Sequence, residues 1–152
     1  MSEEINGKTY TANGVEVLFF NIGDTVYGIE IEYINEIIGI EHITVVPKIP
    51  DYIKGIINIR GKMVPVISVR KRFGMEEIPY DDRTCIIVLE FENGIQVGII
   101  VDRVQEVVVV DKDIISKTPD CKNVNTNRYI KSIVNDNDGI KLLLDCDKLI
   151  GE

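Results

Sequence analysis

The sequence predicts a mainly β protein made of two similar small β-barrels with short helices. The first observation is a high density of β-branched and aromatic runs, such as Val15 to Phe20, that end at turn residues. The second is an internal repeat, in which one apolar frame occurs twice along the chain. Because the chain has only 152 residues, each unit is small and the two are expected to share a core.

The first half contains strand patterns separated by turn signals. Gly23 and Asp24 follow the first run and predict a turn. Ile29 to Glu32 alternates apolar and acidic residues, which is the period of a half-buried strand. Further strands are predicted at Ile43 to Val46, Ile56 to Ile59 and Met63 to Ile67, with a loop at Pro47 and Pro50 and a turn at Arg60 and Gly61.

The second half has the same order of patterns. Asn93-Gly94 is a strong hairpin signal. Strands are predicted at Cys85 to Leu89, Val97 to Val101, Val107 to Val110 and Ile140 to Leu144. Each half also has one short predicted helix, the first capped by Ser68 and ending before Gly74, the second running from Asp145 to Ile150.

A shift of the sequence against itself makes the repeat explicit. A shift of 70 residues places Gly28-Ile29 on Gly98-Ile99 and Glu36 on Glu106. The ordered recurrence of these residues favours duplication over a chance likeness of alternating strands.

A second matched block follows after an insertion of seven residues. A shift of 77 places Tyr52-Ile53-Lys54 on Tyr129-Ile130-Lys131. We therefore expect one domain over residues 15–150, with a first barrel half at 15–80 and a second at 81–150, after a flexible N-terminus of residues 1–14. Closed barrels would remove exposed strand edges.

The positions at which the halves differ are candidates for function. Gly55 corresponds to Ser132, and the turn Arg60-Gly61 corresponds to Asn137-Asp138. Since the common frame carries the fold, Gly55, Arg60 and Gly61 are free to serve another purpose.

The charge of the chain excludes some partners. The formal net charge is −8 and the isoelectric point is about 4.7, so the chain repels nucleic acid and anionic membranes. No apolar run reaches the roughly 18–20 residues of a membrane span, and the polar start of the chain is unlike a secretory signal. We expect a cytoplasmic protein.

The chain lacks the residue groupings of common enzymes. Cys85, Cys121 and Cys146 are widely spaced and His42 is the only histidine, which predicts reduced structural thiols and no Cys/His metal site. Neither a nucleophile–base grouping nor a phosphate-binding loop is present. The sequence therefore predicts no catalytic activity and no need for a metal.

One segment carries a family resemblance. The run Tyr52-Ile-Lys-Gly-Ile-Ile-Asn-Ile-Arg-Gly61, followed by Val64-Pro-Val66, resembles the signature of the CheW-like domain family. Gly23 to Ile37 and Val97 to Val107 are also similar to the family pattern, so that the resemblance covers Val15 to Ile150. The chain departs from the pattern at Ile59, Ser68 and Ser132, where the family commonly has leucine, aspartate and glycine.

The resemblance implies a fold of two five-stranded SH3-like barrels and an adaptor role in chemotaxis arrays. Such proteins bind the cytoplasmic tips of chemoreceptors and the regulatory domain of the histidine kinase CheA, without a cofactor. The chain carries no phosphotransfer, ATP-binding or receiver segment, so a free-standing adaptor is expected. A CheW-like domain of a larger chemotaxis protein and a regulatory ligand-binding barrel are the alternatives.

The resemblance also implies site residues. Receptor contact should involve Ile34, Glu36, Gly55 and Arg60, and contact with the kinase or with ring neighbours should involve Gly98 and Val104 in the second half. A structural role for Glu36 stays open because it recurs as Glu106, and Arg60 could be an ordinary solvated turn residue.

Overall fold

The structure is a computed structural model that describes residues 2–5, 8–11, 14–117 and 127–151. The strands of this part are β1 Ser2–Ile5, β2 Lys8–Thr11, β3 Gly14–Ile22, β4 Thr25–Glu30, β5 Ile34–Gly39, β6 Ile53–Ile59, β7 Lys62–Ser68, β8 Cys85–Glu90, β9 Gln96–Val101, β10 Arg103–Asp111, β11 Ile115–Lys117, β12 Ile130–Asp136 and β13 Gly139–Leu144. The helices are α1 Val69–Arg72 and α2 Cys146–Ile150, with 3-10 turns at Ile31–Tyr33, Lys112–Ile114 and Asn127–Tyr129.

The strands form two main sheets. One has the order β5-β8-β9-β7-β6 and is called the first barrel here; the other has the order β10-β3-β4-β13-β12-β11 and is called the second barrel. β1 and β2 form a separate two-stranded antiparallel sheet, and both strands lie in residues 1–14, the segment expected to be flexible. The predicted mainly β fold with two similar units and short helices is confirmed.

Each sheet closes on itself through one bent strand. β10 and β11 are separated by the 3-10 turn Lys112–Ile114 and pair with β3 and β12, at the two edges of the same sheet. In the first barrel, Thr44 follows β5 and forms a bridge with Ile56 of β6. The six strands of the second barrel are therefore five chain segments, one of which is bent.

The barrels exchange strands between the two halves of the sequence. β8 and β9 come from the second half but complete the first barrel, and β3 and β4 complete the second barrel. The chain therefore passes from one barrel to the other at residues 30–34 and again at residues 101–103. The expected boundary between the barrel halves, at residues 80 and 81, is not one of these crossings. The repeat itself persists in the registers, because Val66 lies opposite Gly98 where Leu143 lies opposite Gly28.

Alternating side chains build three cores. In β3, Val17 and Phe19 face the interior of the second barrel, while Leu18 and Phe20 face a core between the barrels. In β8, the neighbours of Ile87 face the interior of the first barrel, and Ile87 faces the shared core. The expected shared core is thus present, and it forms because both faces of these central strands are apolar.

Both short helices begin with the predicted cap. The Ser68 hydroxyl accepts a hydrogen bond from the N–H of Lys71 at 3.2 Å, and the Asp145 carboxylate accepts one from the N–H of Lys148 at 3.1 Å.

Two strand predictions were wrong in part. β4 ends at Glu30, after which the chain enters the 3-10 turn, and Ile43 to Val46 contributes only the Thr44 bridge. Alternation alone cannot show whether a pairing strand is within reach.

A charged group joins the barrels where the chain crosses between them. Asp102 accepts hydrogen bonds from Arg70 Nη2 at 2.5 Å, from Arg70 Nε at 3.0 Å and from the N–H of Gly23 at 2.7 Å. Burial alone would raise the pKa of Asp102, but the bonds from Arg70 and Gly23 outweigh it and lower that pKa below its ordinary value.

A second arginine of α1 reaches α2. Arg72 Nε donates to the carbonyl oxygen of Leu149 at 3.0 Å, and its guanidinium carbon lies 4.0 Å from the ring centre of Tyr52 and 5.2 Å from that of Tyr129. The hydrogen bond therefore ties α1 to α2, and the cation–π contacts tie α1 to Tyr52 and Tyr129.

Gly28→Ala should destabilise the protein. A Cβ at Gly28 would lie 2.6 Å from Val17 Cγ1 and 2.8 Å from Leu143 Cδ2, inside a packed core. Overpacking of this kind costs about 1–3 kcal/mol in the free energy of unfolding, measured by urea denaturation. Gly39→Ala is the control, because nothing lies within 4 Å of a Cβ there. Equal stability of both variants would contradict the packing role of Gly28.

Asp102→Asn should lower stability in a pH-dependent way. The pKa of Asp102 is lower in the folded chain, so its ionised form stabilises the fold above the unfolded-state pKa, and this stabilisation is lost as the pH falls through the folded value. The variant should lose about 1.5–3 kcal/mol at pH 7, and its difference from the wild type should shrink below about pH 4. Asp24→Asn, an exposed site in the β3–β4 turn, is the control. A difference that is constant from pH 3 to 7 would argue against this role.

Candidate interaction surface

The structure brings two predicted site residues into direct contact. Arg60, in the turn between β6 and β7, donates from Nη2 to Glu36 Oε1 at 2.5 Å and from Nη1 to Glu36 Oε2 at 3.3 Å. The Arg60 side chain is 73% exposed and that of Glu36 is 25% exposed. The hydrogen bond to Glu36 and the charge of its carboxylate raise the pKa of Arg60 above its ordinary value.

The backbone at Arg60 is unusual for an arginine. Its φ is 49° and that of Gly61 is 85°, the signs of a type I′ turn, which Asn-Gly and Gly-Gly sequences favour. A side chain with a Cβ adopts this conformation at a cost in free energy. Arg60 therefore occupies a position at which the turn itself favours another residue.

The second barrel lacks this pair. At the equivalent turn, neither Asn137 nor Asp138 has a positive φ, and Gly139 takes it instead, with φ 114°. Glu106, the counterpart of Glu36, is exposed. The barrel frame therefore does not depend on a carboxylate–arginine pair at this place.

Gly55 and Gly98 are buried packing positions. Gly55 has φ +146°, and a Cβ there would lie 2.1 Å from the carbonyl oxygen of Thr44, so Gly55 permits the Thr44–Ile56 bridge that closes the first barrel. Gly98 lies in β9 of the first barrel rather than in the second, and a Cβ there would lie 2.8 Å from Ile86 Cγ2. Neither offers a side chain to a partner.

Ile34 and Val104 lie at equivalent positions of β5 and β10. Both are half-buried and pack against the shared core. The backbone of Val104 also forms a hydrogen bond with the Cys85 thiol. Their burial identifies them as anchors of the two strands that carry Glu36 and Glu106.

Sequence reasoning missed a polar groove beside Arg60. Its lining residues come from β5, the β6–β7 turn and β9: Asn35, Ile59, Arg60, Gly61, Lys62 and Gln96. Glu90, at the end of β8, accepts hydrogen bonds from Asn35 Nδ2 at 3.3 Å and from Gln96 Nε2 at 3.1 Å. An alignment of the β8–β9 hairpin with the β3–β4 hairpin would have singled out Glu90 in the sequence, because the equivalent residue is Asn21.

Exposed apolar side chains recur at equivalent positions. Ile37 of β5 is 43% exposed and Val107 of β10 is 51% exposed; Met63 of β7 and Ile140 of β13 are each 63% exposed. These side chains leave apolar area on the surface of both barrels.

The described residues supply little for covalent or metal chemistry. Burial raises the pKa of the Cys146 thiol to about 12, so the reactive thiolate is suppressed. No group of three or more His, Cys, Asp or Glu side chains in the described ranges could hold a metal ion. Cys121 lies outside the described residues. None of the helices described has the length and apolar character needed to cross a membrane.

Comparisons with known proteins show which family this chain is similar to. The sequence model of the CheW-like domain matches residues 16–152. The chemotaxis protein CheW of Klebsiella aerogenes is 34% identical over 137 residues, covering 90% of this chain and 82% of the relative. That of Bacillus subtilis is 30% identical, covering 90% and 87%.

A solved structure shares the fold. The scaffolding protein TtCheW from Thermoanaerobacter tengcongensis superposes with a TM-score of 0.84 at 30% identity, covering 91% of this chain and 94% of that one. The match of the family model over nearly the whole chain, together with these relatives, shows that the chain belongs to the CheW-like domain family of non-enzymatic chemotaxis adaptor proteins.

Proposed function

We propose that this chain couples chemoreceptors to the histidine kinase CheA by protein–protein contacts in the cytoplasm, and that it binds the receptor tip around Glu36 and Arg60. The observation that carries the proposal is the ion pair itself. Arg60 is exposed, adopts a backbone conformation that its residue type disfavours, and has no counterpart in the second barrel. A residue that adopts a disfavoured backbone conformation, and that the fold does not require, is a candidate for partner contact.

The pair orients the arginine before a partner arrives. Two hydrogen bonds to Glu36 fix the plane of the guanidinium, so little side-chain freedom is lost on binding. Ile34 and Gly55 contribute indirectly, since Ile34 anchors β5 in the shared core and Gly55 allows the closure that brings β6 beside Thr44.

For the kinase contact we propose the exposed face of β10. Val107 and Val109 are 51% and 43% exposed there, whereas Val104 of the same strand is half-buried. In this proposal Val104 and Gly98 support the contact by keeping the strands in place, and Val107 and Val109 supply apolar area to the CheA regulatory domain.

Arg60→Asn should weaken receptor binding without lowering stability. Asn-Gly is a preferred type I′ sequence, so the turn is retained while the charged fork is lost. We expect affinity for a receptor-tip fragment to fall about ten- to a hundredfold, measured by calorimetry beside the melting temperature. Arg60→Lys should recover only part of the affinity, because an ammonium group lacks the fork.

Arg83→Asn is the control for charge, since it removes an exposed cation from the loop between α1 and β8. Equal affinity of Arg60→Asn and the wild type would refute the assignment of Arg60. A large loss of stability that accounts for the loss of binding would do the same.

Val107→Asp should weaken binding to the CheA regulatory domain at least about tenfold while leaving receptor-tip binding unchanged, because a charge would be placed in an apolar contact. Val45→Asp is the matched control, since Val45 is 78% exposed in the loop after β5. If both variants reduce kinase binding equally, or if neither reduces it, the β10 face is not the kinase contact.

A further inference from the structure

A carboxylate accepts hydrogen bonds from two residues that line the polar groove of the first barrel. Glu90 is half-buried and accepts hydrogen bonds from the side-chain amides of Asn35 and Gln96, at 3.3 and 3.1 Å. A carboxylate without a proton only accepts, so each amide must turn its nitrogen towards Glu90. The carbonyl oxygens of Asn35 and Gln96 are then directed away from Glu90.

Donors lie along the same groove. Arg60 and Lys62 line it together with Asn35 and Gln96, and both cations are exposed. Asn35 directly precedes Glu36, so the amide network and the Glu36–Arg60 pair share strand β5. The groove therefore presents amide oxygens as acceptors and cationic groups as donors within one short stretch.

The second barrel shows that the fold does not require this arrangement. There Asn21 takes the place of Glu90 and accepts hydrogen bonds from Gln105 Nε2 at 2.8 Å and from Arg103 Nη2 at 3.2 Å. Val26 takes the place of Gln96, as the two hairpin registers show. The same barrel fold is thus compatible with a neutral acceptor, Asn21, and an apolar neighbour, Val26.

We propose that Glu90 is a positioning residue for partner recognition, because it orients Asn35 and Gln96 so that the groove binds polar side chains of the receptor tip. The inference rests on the proposed function and deepens it. The fitting segment of the tip carries a carboxylate opposite Lys62 and Arg60 and an N–H donor opposite the amide oxygens. Glu90 itself does not line the groove and acts through the two amides.

The second barrel indicates which substitutions the fold of the first barrel should tolerate. Glu90→Asn and Gln96→Val each install the residue that the second barrel uses at the equivalent position, so the fold should tolerate both. Each should weaken affinity for a receptor-tip fragment about tenfold, with the melting temperature nearly unchanged. Glu90→Gln retains the length and one acceptor oxygen, so it should lose less affinity than Glu90→Asn.

Asn21→Ala is the matched control, because it breaks the equivalent network in the second barrel. It should leave tip affinity within about twofold of the wild type. Calorimetry with the full chain gives the affinity, and thermal unfolding in the same buffer gives the stability. If Glu90→Asn does not fold, Gln96→Val decides.

The outcomes separate the two proposals. If the wild type does not bind the tip fragment, both are overturned. If Arg60→Asn loses affinity while Glu90→Asn and Gln96→Val keep it, the role of Glu90 is overturned and the role of Arg60 stands. Equal losses in Asn21→Ala and Glu90→Asn would also overturn the inference, because a general effect of the barrel ends would then explain both.

Discussion

Parallel pairing between strands of different repeats holds each barrel together. β7 lies beside β9 with Val66 opposite Gly98, and β13 lies beside β4 with Leu143 opposite Gly28. In both pairs a glycine leaves room for side chains of the neighbouring strands. Because β8 and β9 complete the barrel of β5 to β7, and β3 and β4 complete the other, neither repeat can close a barrel without the other.

This exchange explains the shared core and the fixed relation of the barrels. Phe20, Tyr27, Phe73 and Tyr129 form a series of ring contacts, with centroids 6.1, 5.3 and 5.5 Å apart, that runs through strands and helices of both repeats. Arg70 and Arg72 add charged contacts at its edge. A scaffold that works by presenting surfaces benefits from this arrangement, since surfaces held in a constant relation lose little freedom when partners bind.

The two barrels have the same frame but different surface chemistry. The first barrel carries the Glu36–Arg60 pair and the Glu90 network, whereas the second has Asn137 and Asn21 at the matching turn and strand positions. A feature that only one copy has, such as the Glu36–Arg60 pair, is not required by the shared fold and is therefore available for partners. The exposed pair Ile37 and Val107 adds apolar area that both copies keep.

The sequence by itself determined the mainly β class, the repeat, the helix caps at Ser68 and Asp145, the turn at Arg60 and Gly61 and the family. These follow from local signals, namely alternation, capping chemistry and turn residues, or from a recurring pattern. Only the tertiary structure decided that the hairpins exchange between repeats, that Gly98 belongs to the first barrel, that Arg60 meets Glu36 and that Glu90 bonds two residues of the groove. The reason is physical: alternation fixes which face of a strand is buried, but the choice of pairing strand depends on packing between residues far apart in the chain.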